Sequence, residues 1–141
     1  MKDCIFCKIS RGEIPSYKVY EDEHYLAFLD LFPFVKGHTL VIPKEHYRWV
    51  WDLPTTETSP NIGEYMAVCK KIANHYKSLS GIDLVISIIM GEQVPHAHIH
   101  LLPNINEGEI SELFGVIEQC RKPKLEEKQA DSLVKKLKLE N

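Results

Sequence analysis

Short apolar runs separated by polar turns predict that a β-sheet forms the frame of this chain. The segments 17–21 and 25–29 are rich in aromatic and β-branched residues and flank three polar residues, as in a β-hairpin. Apolar runs at 39–42 and 84–89 predict two more strands. With a fifth run near residue 100, they predict an α+β fold: an antiparallel sheet of about five strands with two or three helices packed on it.

Helical periodicity is clearest between Ile62 and Leu79, where apolar residues recur every three or four positions. This spacing predicts an amphipathic helix of about five turns. Ser59 is expected to be its N-cap and Pro60 its first residue. Further helices are predicted at 44–51, 109–120 and 124–139.

The C-terminal part differs from the rest of the chain in charge. Residues 1–120 carry 10 basic and 16 acidic side chains, a net charge of −6, whereas residues 121–141 carry 7 basic and 4 acidic side chains, a net charge of +3. We therefore expect a domain at 1–108 and a C-terminal helical extension at 109–141. The extension is interpreted as a solvated tail in preference to a partner-binding segment.

The composition is that of an ordinary soluble protein, with 44% hydrophobic and 26% charged residues. No run of about 18 apolar residues predicts a membrane span, and the N-terminus lacks the apolar core of a signal peptide, so we expect a cytoplasmic location. The acidic main body argues against nucleic-acid binding, which needs a basic footprint. A phosphate-bearing small molecule can still bind through local donors.

The candidate chemistry lies in the run 94–103, where His96, His98 and His100 alternate with apolar residues. Successive side chains of a β-strand point to opposite faces, so the three imidazoles would share one face and the apolar residues between them would enter the core. A His-rich but solvated strand face is the plainer alternative. A neutral imidazole is a nucleophile near pH 7, but histidines at this spacing also bind metals, and the row alone leaves both readings open.

The run His96–Leu102 resembles the signature of the histidine-triad (HIT) superfamily, in which three histidines alternate with apolar residues and two apolar residues follow. The resemblance extends to Gly37–His46, to the turn Asp30–Pro33 and to Cys4–Ile9, which is similar to the opening of the Hint-type branch. These blocks stand in the family's order. The resemblance implies a HIT-like sheet and a homodimer with the long helix near the interface.

The resemblance also implies an activity: hydrolysis or transfer at the α-phosphorus of nucleoside 5′-phosphoramidates or related nucleotide anhydrides. His98 would attack and form a nucleotidyl-histidine, while His100 and the backbone near Gln93 would hold the phosphate oxygens. His38 and the carbonyl near His96 would keep His98 in the required tautomer. Hydrolysis of dinucleoside polyphosphates, or nucleotide binding with little catalysis, are the alternatives.

The substrate implied by the family is a purine nucleotide that resembles AMP. Asp30 would accept hydrogen bonds from both ribose hydroxyls, while Phe6, Ile9 and Leu31 would line the slot for the base. Gly91 would allow close approach of the backbone to phosphate. The sequence departs from its relatives around this glycine. It has Ile88-Ile89-Met90 before Gly91 and an acid, Glu92, after it.

Cys4 and Cys7 form a Cys-x-x-Cys pair that has three interpretations. They are two small buried residues, a redox pair, or half of a zinc site. In zinc-bearing relatives the remaining ligands align with His46 and His96, so the resemblance implies a structural zinc on these four residues. A zinc-dependent hydrolase that uses the three alternating histidines as ligands is a further alternative.

Overall fold

The computed structural model describes residues 3–140. The strands are β1 (Lys18–Glu21), β2 (Tyr25–Leu29), β3 (Thr39–Pro43), β4 (Val85–Ile88) and β5 (Ile99–Pro103). The helices are α1 (Ile5–Ser10), α2 (Ile62–Ser78), α3 (Glu109–Gln119) and α4 (Glu127–Leu137), with a 3₁₀ turn at Val50–Asp52. The strands form one sheet in the order β1-β2-β3-β5-β4, and every neighbouring pair is antiparallel. The predicted α+β architecture is confirmed.

The two faces of the sheet bury different sets of side chains because neighbouring residues of a strand point in opposite directions. One face packs on α2. Its core combines strand residues with helix residues: Tyr25, Ala27, Val41, Ala97, Ile99, Leu101, Tyr65, Val68 and Ile72. The other face packs on α1 through a second apolar group: Leu26, Phe28, Leu40, Ile42, Phe6 and Ile9. The apolar residues between the three histidines therefore enter the α2 core, as the alternation predicts.

Helix α2 begins two residues later than predicted. Asn61 is its N-cap, and the Asn61 side chain accepts a 2.9 Å hydrogen bond from the backbone N–H of Glu64. The Ser59 hydroxyl instead donates to the Glu64 carboxylate at 2.6 Å. The predicted N-cap at Ser59 and first helical residue at Pro60 are wrong, because the Asn61 side chain satisfies the orphan amide at the helix start.

The helix predicted over 44–51 is also wrong, since only the short 3₁₀ turn forms there. Backbone groups of this segment bond to distant parts of the chain. The N–H of Lys44 donates to the carbonyl of His24 at 2.8 Å, and the carbonyl of Tyr47 accepts from the N–H of Ala97 at 2.7 Å. Tertiary hydrogen bonds thus replace the local bonds of a helix.

Strand β5 begins at Ile99, so only His100 of the three alternating histidines lies in a regular strand. The ten residues 89–98 between β4 and β5 form an irregular connection that bends at 92–96. The side-chain alternation nevertheless continues through them, because Ala97 is buried in the α2 core while His96 and His98 contact Phe6 on the opposite face.

The C-terminal helices differ in how they meet the sheet. Ile110 of α3 packs with Val35 and Leu102 in a small third cluster, whereas α4 has no buried residue. The division at residue 108 remains a prediction. Among the described residues, no helix combines the length and the apolar character needed to cross a membrane.

Candidate active site

The α1 face of the sheet carries a cavity of about 540 Å³. Seven of the residues predicted for the site line it: Phe6, Ile9, Asp30, Leu31, Gln93, His98 and His100. His38 and His96 are buried beside this cavity and touch the lining histidines. The fold thus brings together residues that are up to about 90 positions apart in the chain.

The ring of His98 is held by the backbone two residues before it. Its Nδ1 lies 2.7 Å from the carbonyl oxygen of His96. A carbonyl can only accept, so Nδ1 must carry the proton and donate it. In the neutral ring, Nε2 is then unprotonated and has a free lone pair. His98 also makes an edge contact with Phe6, with ring centroids 5.3 Å apart.

A chain of hydrogen bonds sets the protons on His38 and His100. The backbone N–H of Phe34 donates to Nδ1 of His38 at 3.0 Å, so a neutral His38 carries its proton on Nε2. That Nε2 lies 2.8 Å from Nδ1 of His100, which must accept. A neutral His100 is therefore protonated on Nε2, and this N–H has no partner among the described residues.

Burial keeps this histidine pair neutral. The pKa of His100 is lowered to about 4, mainly by loss of hydration and also by the neighbouring imidazoles of His98 and His38, while Asp30 acts in the opposite direction. Burial also lowers the pKa of His38, although Asp30, whose Oδ2 lies 3.7 Å from Nε2 of His38, acts in the opposite direction. Near neutral pH, His100 therefore offers a hydrogen-bond donor without carrying a positive charge.

One predicted contact differs in the structure. His38 was expected to hold the tautomer of His98, but its ring nitrogen meets His100. The register of the sheet explains this, because β3 and β5 pair Leu40 with His100, and His38 lies just before β3. The carbonyl of His96 alone orients His98 in the way that was predicted.

Asp30 directly follows β2 and begins a turn. Its Oδ1 accepts the backbone N–H of Phe32 at 2.8 Å, the bond of a turn aspartate. Its side chain is 21% exposed and lies at the cavity. The carboxylate therefore retains acceptor positions that a ligand can reach, and Leu31 next to it is largely exposed.

Gly91 serves a different purpose from the one expected. It is buried and has φ +75°, and a Cβ added to it would lie 2.9 Å from ring carbons of Trp49. Gly91 is not among the residues that line the cavity. Its lack of a side chain is required by the Trp49 ring and by the left-handed backbone conformation.

Cys4, Cys7, His46 and His96 converge at one point. Their ligand atoms all lie within 4.8 Å of one another. Nδ1 of His96 is 3.4 Å from each sulfur, and Nδ1 of His46 is 3.3 Å from the sulfur of Cys7. Ligand atoms around a tetrahedral zinc are separated by roughly 3.5 Å, given the usual zinc–ligand bond lengths.

The tautomer of His96 suits the same metal. Its Nε2 lies 2.8 Å from the carbonyl oxygen of Pro43, so Nε2 carries the proton and Nδ1 directs a lone pair at the sulfurs. The residues present therefore fit a closed Cys₂His₂ zinc site. His96 can fill both roles expected of it: its ring faces the two cysteines as a metal ligand, while its backbone carbonyl holds the ring of His98.

Two residues of the site, Phe34 and Ser16, were not predicted, because no motif or spacing in the sequence marks them. Phe34 stacks on His38 with a centroid distance of 5.0 Å and on His100 with 6.0 Å. Ser16 lines the cavity, and its hydroxyl is the other buried polar side-chain atom without a partner among the described residues. Both unpartnered atoms, the Ser16 hydroxyl and Nε2 of His100, thus belong to residues around the same cavity.

Comparison with known proteins agrees with this fold. A family model described as the HIT domain matches residues 11–107. The chain belongs to the HIT domain family.

Its relatives include an uncharacterized HIT-like protein of Borreliella burgdorferi, 43% identical over 77% of this chain and 81% of that protein. The adenylylsulfatase HINT3 of Arabidopsis thaliana is 39% identical over 72% of this chain and 52% of that protein. The adenosine 5′-monophosphoramidase HNT1 of Saccharomyces cerevisiae is 37% identical over 74% of this chain and 64% of that protein.

Solved structures show the same fold. A histidine triad protein from Clostridium difficile has a TM-score of 0.63 and 41% identity, and the match covers 75% of this chain and 94% of that one. A zinc-bound histidine triad family protein from Mycobacterium smegmatis has a TM-score of 0.61 and 34% identity, covering 76% of this chain and 78% of that one.

The depressed pKa of His100 predicts that stability depends on pH. Between its ordinary value of 6.5 and about 4, the unfolded chain binds a proton at this residue that the folded chain does not bind. The free energy of unfolding should therefore fall as the pH drops through this range, and less steeply in His100→Gln. Urea unfolding at several pH values measures both slopes. Equal slopes would contradict the assignment.

Proposed function

We propose that this protein cleaves nucleoside 5′-phosphoramidates, or related nucleotide anhydrides, at the α-phosphorus through a nucleotidyl-histidine intermediate. The observation that carries the proposal is the tautomer of His98: its Nδ1–H donates to the His96 carbonyl, so the neutral ring has its lone pair on Nε2 at the cavity. The names of the HNT1 and HINT3 relatives support adenylyl-bearing substrates.

The reaction has two displacements at phosphorus. Nε2 of His98 bonds to the α-phosphorus, the bond from phosphorus to the substrate nitrogen breaks, and the nitrogen takes a proton from water and leaves as the neutral amine. A water molecule then attacks the same phosphorus and the bond to Nε2 breaks. The proton that this water loses passes to the solvent, and the product is the nucleoside monophosphate. Two steps with a neutral imidazole replace one direct attack of water on an anionic phosphorus centre.

Neighbouring residues would bind the substrate around the reacting phosphorus. The unpartnered Nε2–H of His100 would donate to a phosphate oxygen, which also satisfies an otherwise unpaired buried donor. Asp30 would accept from the ribose hydroxyls, and the apolar cavity wall with Phe6 and Ile9 would hold the purine. Gln93 lines the cavity and would contact the phosphate.

A zinc ion on Cys4, Cys7, His46 and His96 would be structural, because four protein ligands leave no open position for catalysis. The zinc-bound histidine triad family protein from Mycobacterium smegmatis supports the presence of zinc in this chain. The ion would tie α1 to the segment that carries His98. The chain would act in the cytoplasm.

We also propose a homodimer formed through the edge strand β4. This strand pairs with β5 on one side and lies at the end of the sheet. Exposed apolar residues surround it: Leu84, Ile89 and Met90. An exposed apolar sheet edge is a favourable surface for pairing with a second copy.

His98→Ala is expected to lower turnover of an adenosine phosphoramidate by about 10³-fold or more, since the nucleophile is lost. Binding of AMP should persist because His100, Asp30 and the cavity wall remain. Phosphoramidate hydrolysis and calorimetric titration with AMP measure the two effects, with the exposed His75→Ala as the matched control. Full activity of His98→Ala would refute the mechanism.

Trapping the intermediate separates the enzyme from a nucleotide-binding protein with little catalysis. Rapid quenching of the wild-type protein with a labelled adenosine phosphoramidate should give label bound to His98. A pure binding protein would give none. Dinucleoside polyphosphates in the same assay test the anhydride alternative.

About one zinc per chain is expected in the purified protein, measured by elemental analysis. The double substitution Cys4→Ala and Cys7→Ala should remove the metal and lower the melting temperature, because the cluster links α1 to the histidine segment. The exposed Cys120→Ala is the control and should keep the metal. Metal that survives the double substitution would indicate zinc on the three alternating histidines instead.

Sedimentation of the wild-type protein should give about twice the chain mass of 16.3 kDa. Leu84→Asp places a charge at the β4 edge and should shift the protein towards the monomer. Leu139→Asp, at an exposed position of the tail, should not. A wild-type monomer at micromolar concentration would contradict the proposed dimer.

A further inference from the structure

A cationic side chain holds the start of the segment that leads to His98. Nη1 of Arg48 donates a 2.6 Å hydrogen bond to the carbonyl oxygen of Gly91. The guanidinium also stacks over the ring of Trp49, 3.7 Å from the centroid. Because the same Trp49 ring fills the space where a Cβ of Gly91 would lie, Gly91 is held from two directions.

The other end of the segment is held by the residues just before Arg48. The carbonyl of Tyr47 accepts the N–H of Ala97 at 2.7 Å. The ring of His46 contacts the ring of His96 with centroids 5.0 Å apart. We call residues 46–49 the clamp, since each of them contacts the turn 91–97.

The turn needs such contacts because it lacks those of a sheet. Residues 89–98, all of them described, lie outside the strands β4 and β5. The turn nevertheless places Gln93 and His98 at the cavity. Its position must therefore come from tertiary bonds, of which the Arg48–Gly91 bond is charge-assisted and partly buried.

We infer that Arg48 is a positioning residue: by fixing Gly91 it holds the turn from which Gln93 reaches the phosphate of the substrate. By binding the Gly91 carbonyl, Arg48 keeps that oxygen engaged, so it cannot turn towards an anionic ligand. Two residues further along the turn, Gln93 lines the cavity, so the position of Gly91 determines where Gln93 meets the phosphate.

The inference rests on the proposed function, since it assigns the clamp to the phosphate half of that substrate. Arg48 is not among the residues that line the cavity, and it acts through the turn. A residue that only stabilised the fold would affect every ligand alike. Substitution of a residue that positions the phosphate-binding turn would lower the affinity for ligands with a phosphate and leave the affinity for ligands without one nearly unchanged.

Calorimetric titration of Arg48→Met with AMP and with adenosine tests the inference. Methionine removes the charge and the hydrogen bond. Affinity for AMP should fall by about 10-fold or more, as for the loss of one charge-assisted hydrogen bond, while affinity for adenosine changes less than about twofold. Arg48→Lys should recover part of the loss, because an ammonium can still donate to the Gly91 carbonyl. Arg121→Met, exposed on the tail, is the matched control.

A second measurement follows the turn without any ligand. Amide hydrogen exchange should become faster in 91–97 of Arg48→Met and stay unchanged in α2. If Arg48→Met does not fold, Gly91→Ala replaces it, because its Cβ collides with Trp49 and should give the same selective loss of AMP affinity.

Equal losses for AMP and adenosine, or unchanged AMP affinity, would overturn the role of Arg48 while leaving the proposed function intact. A wild-type protein that binds neither ligand would instead overturn the proposed function, and the assignment of the clamp to phosphate with it. Faster exchange in 91–97 together with selective loss of AMP affinity supports the inference.

Discussion

The chemistry of this site depends on imidazole rings whose protons are assigned by fixed partners. The backbone carbonyl of His96 holds the proton on Nδ1 of His98, and the carbonyl of Pro43 holds the proton on Nε2 of His96. His38 donates its Nε2–H to Nδ1 of His100, so the proton of a neutral His100 lies on Nε2. Each ring therefore presents a defined nitrogen: a lone pair at the cavity, a lone pair at the cysteines, and an N–H with no partner.

His96 couples two parts of the molecule that the sequence keeps far apart. Its ring belongs to the cysteine cluster, which connects to α1, and its carbonyl orients the ring of His98. A displacement of α1 would therefore alter the position of the proposed nucleophile. The clamp acts on the same turn from the opposite end through Gly91, so an irregular segment obtains a defined geometry without strand pairing.

Much of the fold could be predicted because it follows from local periodicity. Alternation with a period of two predicts which side of a strand is buried, and it holds for Ala97 and Ile99 even though the regular strand begins only at Ile99. The family resemblance extends this to the site, where seven of the predicted residues line one cavity. The helix ends were less predictable, since Asn61 and Ser59 are both good capping residues and only side-chain geometry decides between them.

The sequence by itself determined the antiparallel sheet and the imidazole face, and the family resemblance added the grouping of two cysteines with two histidines. Only the tertiary structure decided that His38 bonds to His100 and that Arg48 binds Gly91. These contacts join residues 62 and 43 positions apart, and they depend on strand register and on where an irregular turn lies. Periodicity along a chain indicates which face of a strand or helix a residue occupies. Which distant residue it contacts on that face is set by packing in three dimensions.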